Sequence, residues 1–183
     1  MEWQPAAADM LAAAEVALGH SEPAMAVLSE SIDHAGTTSA RLMMLGDAFR
    51  QQGNQAEAVR HWEWATRLHM AGPAHSRLAA HYDTLGNAAE ASRHLAIAKL
   101  AEGLSAFRQD QVAQALAPIE LAVQLDPDYA HAWFYLGECR RFLNEPAAAR
   151  AAYEHCLAIA PHHGRAKHSL AKLLARANSA GTN

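Results

Sequence analysis

Twelve histidines, two cysteines and nineteen acidic residues in a chain of 183 are the raw material for metal or acid–base chemistry. Two histidines on one helix face a metal together when they stand four apart, as in His-Glu-x-x-His. No two histidines here have that spacing. His162 and His163 are adjacent and diverge on a helix; with His155 they form the densest cluster, expected to be surface histidines rather than a metal site. Cys139 and Cys156 are the chain's two cysteines, and zinc is not expected. They read as two buried reduced thiols, since a disulfide between them requires an oxidising compartment. The phosphate-cradling patterns G-x-x-x-x-G-K-[ST] and G-x-G-x-x-G are absent, as is the nucleophile elbow G-x-S-x-G. The expectation is a chain that is not an enzyme and carries no metal and no cofactor.

Charge says more by region than in total. The net is −4, and residues 1–91 hold eleven acidic against five basic side chains, a net of −6. From Arg140 onward seven basic residues face two acidic ones, a net of +5, with His155, His162, His163 and His168 at the same end. That end is either a solubilising cap or a docking surface for an acidic partner segment. Nucleic acid is not an expected partner, because the basic residues are not interleaved with stacking aromatics along a strip. The first twenty residues carry no basic leader and no long apolar run, and nothing approaches the roughly 18 apolar residues that span a bilayer. The expectation is a cytoplasmic chain with no membrane insertion.

The elements that must position these residues repeat. Ala130–Pro161 carries Trp133, Leu136, Gly137, Ala149, Tyr153, Cys156 and Pro161; thirty-four residues upstream the matching slots hold Gly103, Ala115, Ile119, Ala122 and Pro127. A fixed period of this size, built from two helical patterns, marks a solenoid of helix hairpins. Gly137, Ala149 and Cys156 fall where the two helices cross, where small side chains let the backbones approach, and Trp133, Leu136 and Tyr153 fill the space around them. Ninety-one residues before the Ala130 repeat, Ser39–Gly72 holds Leu42, Leu45, Gly46, Phe49, Gly53, Ala58, Trp62 and Ala65 in register, with Met70 at the closing proline slot; Pro5–Thr38 is a weaker copy. Between Gly72 and Ala96 the count fails. Pro73–Leu85 reads as a first helix, and the unbroken pattern after Gly86 predicts one long helix over roughly 88–109 serving two hairpins. Pro118 falls inside a helical pattern, where it costs on the order of 3 kcal/mol and kinks the helix.

The spacing of Trp133, Leu136, Gly137, Ala149, Tyr153 and Pro161 closely resembles the tetratricopeptide repeat, W-x2-L-G-x2-Y followed by Ala, an aromatic, Ala and Pro; Arg140 at the Tyr slot and Cys156 at the last Ala slot depart from it. The resemblance implies an all-α fold, a right-handed α-solenoid of antiparallel helix hairpins with about four to five repeats plus a C-terminal capping helix. The expected layout is a single domain 1–183 with repeats at 5–38, 39–72, 73–95 (compressed), 96–129 and 130–163. A cap at 164–177 and a disordered tail at 178–183 complete it.

In proteins similar to this one the first helix of each hairpin lines a concave groove that binds a protein or peptide. Transferring those slots by register gives Met43, Asp47 and Arg50, then Leu104, Phe107 and Arg108, then His131, Phe134, Glu138 and Arg141, with Arg165 and Lys172 from the cap. The carboxylate-binding members use Lys and Asn at slots that here hold Met43, Asp47, Arg77, Phe134 and Glu138, so that specificity does not carry over. The mixed lining suits an amphipathic helix or an apolar segment with acidic flanks. Trp64, two residues past the core aromatic slot at Trp62, points elsewhere and marks an outer face for a homodimer or partner contact, unless it covers a neighbouring helix. Two function classes follow: a scaffold or adaptor binding a partner in its groove, and a regulatory or targeting module acting with a separate transferase or hydroxylase.

Overall fold

The computed structural model describes residues 4–68 and 72–180, with the side chains of 177–180 left aside. The described residues form ten helices and no strand. They are α1 (Pro5–Leu18), α2 (Ser21–Ala35), α3 (Ser39–Gln51), α4 (Gln55–Leu68), α5 (Gly72–Thr84), α6 (Ala88–Arg108), α7 (Val112–Leu125), α8 (Ala130–Phe142), α9 (Pro146–Ile159) and α10 (Gly164–Ala180). The fold is all-α, made of antiparallel helix hairpins.

Where one domain was expected, contacts divide the chain into two units, Met1–His94 and Leu95–Asn183. Solenoid hairpins contact only their neighbours, so cohesion is local. The division falls inside α6, the 21-residue helix that the unbroken pattern after Gly86 predicts. The last helix runs to Ala180, so residues 178–180 of the expected disordered tail are helical backbone; 181–183 lie outside the described residues, as does Met70.

Five hairpin turns close in the same way. A residue with positive φ ends the first helix at Gly19, Gly53, Gly86, Asp110 and Asn144. The amide that follows it donates back five residues, from His20 to Glu15, Asn54 to Phe49, Asn87 to Tyr82, Gln111 to Ala106 and Glu145 to Arg140. This closure caps carbonyls that the helix end leaves without partners. The ruler it provides shows the compression directly: Gly53 lies 34 residues after Gly19, and Asn144 34 after Asp110, but Asp110 follows Gly86 by only 24.

One crossing recurs in four of these hairpins. Gly46 faces Trp62, Gly103 faces Ile119 and Gly137 faces Tyr153, each pair sixteen residues apart in sequence. A methyl group on any of the three glycines would stand 2.5 Å from a ring or branch atom of its partner. In the first hairpin the slot holds Ala12, and the partner is the slimmer Leu28; both are fully buried in one cluster. The core of the first unit grows from these crossings through Leu42, Leu45, Ala58, Ala65 and Leu78. That of the second grows through Leu100, Leu104, Ala122, Leu136 and Phe134. Cys139 and Cys156 are free and buried in two different clusters, with no bridge between them. Pro118 sits within α7, which continues on both sides of it.

The turn geometry predicts two opposite effects. Gly53→Ala places a side chain at φ 78° where nothing crowds it, so conformational strain alone should cost about 1 kcal/mol. Asp110→Gly, at φ 59°, should stabilise by about 0.5 kcal/mol or more. Chemical denaturation of the two variants checks both signs.

Candidate functional site

The second unit builds its most polar interior corner on α8. Glu138 follows the crossing glycine Gly137, so its carboxylate emerges beside the Tyr153 ring. Its Oε1 accepts from Tyr153 Oη at 2.6 Å and from Ser169 Oγ at 2.8 Å, and its Oε2 accepts from Arg141 Nη2 at 2.8 Å. Burial works to raise the Glu138 pKa, but the hydrogen bonds from Arg141, Tyr153 and Ser169 outweigh it and hold the carboxyl below its ordinary range. Burial first, and then the Glu138 carboxylate, push the Tyr153 phenol well above its ordinary value. Cys139, next in sequence, is pushed up to about 11 by burial and then by Glu138, which makes it a poor nucleophile.

Around this anchored carboxylate opens a cleft of about 240 Å3 between α8 and α10, lined by Glu138, Arg141, His168, Ser169, Lys172, Leu173 and Arg176. Its floor is the acid, already engaged by internal donors, and its rim is basic. The Arg141 guanidinium lies over the exposed Phe142 ring at 4.2 Å. Phe107 of α6 meets Phe142 edge-on at 5.4 Å and Tyr135 at 6.4 Å, an aromatic cluster outside the cleft lining. Arg165 stacks over Phe134 at 4.6 Å and donates to Tyr135 Oη at 3.1 Å. His131 is exposed, with its ring 5.1 Å from that of His163.

Of the residues expected by register, the structure thus gathers Glu138, Arg141 and Lys172 at one cleft. Leu104 and Phe134 belong to the buried core and support the surface without forming it. Arg108 is exposed at the end of α6. In the first unit Met43 is half-buried against Leu42, Ala65 and Trp62, and Arg50 is exposed on a separate cleft of about 200 Å3 with Arg77, His81 and Thr84. Asp47 is buried: it accepts from Trp62 Nε1 at 3.2 Å and pairs with Arg77 of α5 at 2.6 Å. Trp64 is 49% exposed on α4, beside a cleft it shares with Glu57, Arg60, His61, Glu63 and Arg67.

Asp47 and Glu138 occupy the same slot, each directly after its crossing glycine. Each accepts from the polar atom of the aromatic at the crossing, Trp62 or Tyr153, and from the next helix, through Arg77 or Ser169. Their shared work is to tie three successive helices together, which register transfer alone did not reveal. The legible signal was Gly followed by an acid, with Trp or Tyr fifteen residues after that acid. Asp9 does related work from α1, where Arg41 and Ser31 both donate to it at 2.8 Å. No group of three or more metal-capable side chains occurs among the described residues.

Hairpins joined by a small-against-large crossing and tied by a shared polar residue define a helical-repeat protein. Residues 130–163 match the family model of the tetratricopeptide repeat, so the α8–α9 hairpin is a repeat of that family. It is 40% identical over 65 residues to "Protein O-mannosyl-transferase TMTC1" of Mus musculus, a match covering 36% of this chain. The chain spans only 7% of the length of that relative. Among solved structures, "Crystal structure of MamA" is 20% identical, with 91% of this chain and 84% of that chain covered and a TM-score of 0.42. "First TPR of Spaghetti (RPAP3) bound to HSP90 peptide SRMEEVD" is also 20% identical, with 77% and 96% covered and a TM-score of 0.46.

Glu138→Gln removes the charge that three donors converge on, and should cost about 1–3 kcal/mol at neutral pH. Because the folded-state pKa lies below the ordinary 4.5, the carboxylate's contribution is present above that value and is lost as pH falls through the folded pKa. Thermal melts of wild type and variant should therefore differ most near neutral pH and converge in acid.

Proposed function

We propose that this chain is a non-enzymatic adaptor that binds an acidic-flanked apolar segment of a partner protein at the cleft between α8 and α10, in a reducing cytoplasm. The observation that carries the reading is the basic rim of Arg141, His168 and Lys172 set beside the exposed Phe142. An apolar side chain of the ligand reaches past Arg141 to the exposed Phe142 ring that its guanidinium overlies, while the acidic flanks meet His168 and Lys172. Glu138 is saturated by its own donors, so it repels the ligand less than a bare carboxylate would. No helix among the described residues is long and apolar enough to cross a membrane.

A fluorescein-labelled peptide with a Leu-Phe centre and Asp/Glu flanks provides the test by anisotropy. The expected result is saturable binding that Lys172→Glu weakens by roughly tenfold or more, and that falls as salt rises from about 0.05 to about 0.5 M. Binding absent from wild type, or equal in Lys172→Glu, overturns this reading. Either result favours a second one, a repeat module serving a separate transferase, which the 65-residue match to an O-mannosyl-transferase supports.

A further inference from the structure

Two histidines join α5 to α6 through a hydrogen bond that depends on their protonation. His75 of α5 and His94 of α6, nineteen residues apart, bring their Nδ1 atoms to 2.8 Å. A protonated Nδ1 donates and a bare one accepts, so the bond exists only while one of the two is bare. Both rings are half-buried, and their centroids stand 5.1 Å apart. His75, Ala79 and Tyr82 follow one another at i, i+4 and i+7 and share one face of α5. His94 lies against that face, bonded to His75 and stacked on Tyr82, the two rings 5.4 Å apart and 4° from parallel. Arg77 of α5 pairs with Asp47, and with His81 and Thr84 it lines the cleft that contains Arg50. The histidine pair therefore secures one wall of that cleft.

We propose that His75 and His94 form an acid-opened clasp: one proton between the two Nδ1 atoms closes the α5–α6 hairpin, and a proton added to the accepting Nδ1 opens it. The groups around the pair decide which ring accepts. Burial disfavours charge on His94, while the carboxylates of Glu90 on α6 and Glu63 on α4 favour it. Arg93 pairs with Glu90 at 2.8 Å and offsets part of that help. The Tyr82 face under His94 also favours a cation there, and His81 meets the same Tyr82 ring edge-on at 5.5 Å. Acid therefore charges His94 first, at its Nε2, and leaves its Nδ1–H donating to His75. His75 is opposed by burial and then by His94, which lower its pKa to about 4. A proton on His75 Nδ1 turns the acceptor into a second donor and sets two cations against each other. Because His75 takes a proton less readily folded than unfolded, the clasp's contribution is whole above the ordinary 6.5. It is lost as pH falls from there towards about 4.

The test follows the imidazole nitrogens of the isotope-labelled full chain by NMR from about pH 7.5 down to about pH 4. His75 should keep a bare, accepting Nδ1 at neutral pH and take its proton after His94. A His75 ring that titrates at or above the ordinary value overturns the proposal, as does a His94 ring that titrates after it. Hydrogen-exchange protection of the backbone amides reads the opening. Across the same range the amides of α5 should lose protection roughly tenfold or more, while those of α9 keep theirs. His75→Asn sets an Oδ1 acceptor in place of Nδ1 and cannot take the proton, so its α5 amides should stay protected in acid. Loss of α5 protection in His75→Asn equal to that of wild type overturns the clasp, as does loss in α5 and α9 together. Should His75→Asn fail to fold, the nitrogen shifts and the α5 and α9 protection of the wild-type chain decide by themselves.

Discussion

The structure depends on one steric constraint, a small residue in the first helix of a hairpin set against a large one sixteen positions later in the second. Gly46, Gly103 and Gly137 leave no room for a methyl group under Trp62, Ile119 and Tyr153. A mid-helix glycine costs about 1 kcal/mol relative to alanine, and here three helices accept it. The close approach it permits lets a large buried side chain fill the crossing, and burial of such a side chain outweighs that cost. The size of the pair is adjustable, as Ala12 with Leu28 shows, but its complementarity is kept.

From that crossing follow both the polar ties and the surfaces. A residue placed directly after the crossing glycine necessarily emerges next to the large ring, and where it is acidic it meets the ring's polar atom and the following helix. Asp47 and Glu138 use this position to link three helices each. Leu104, in the same slot of α6, is buried in one cluster with Leu100 and Ile119, so there the slot contributes apolar contact in place of a polar tie. The cleft around Glu138 is thus a by-product of architecture that function can use: Arg141, Tyr153 and Ser169 engage the acid from within, and His168 and Lys172 line the same opening.

Much of this was legible in the sequence. The period located the hairpins, the glycine and aromatic slots located the crossings, and the unbroken run after Gly86 located α6. Surface assignments were less legible, because register gives the face a residue occupies and not what else reaches it. Phe134 and Leu104 hold groove slots yet are covered by neighbouring helices. Asp47 holds one and is covered by Arg77, thirty residues away in sequence. The split of contacts within α6 could not be read either, since a continuous helix has the same local pattern whether its two halves serve one unit or two.

The crossing itself is open to a direct test by a double-mutant cycle of Gly103→Ala and Ile119→Leu, measured by chemical denaturation. The account predicts that Gly103→Ala alone destabilises the chain despite its better helix propensity, because Ile119 Cγ1 stands 2.5 Å from the added methyl position. With Ile119→Leu also present, the pair recreates the Ala12–Leu28 arrangement, and part of the loss should be recovered as a coupling of about 0.5 kcal/mol or more. Strict additivity, or a gain in stability from Gly103→Ala alone, would contradict it.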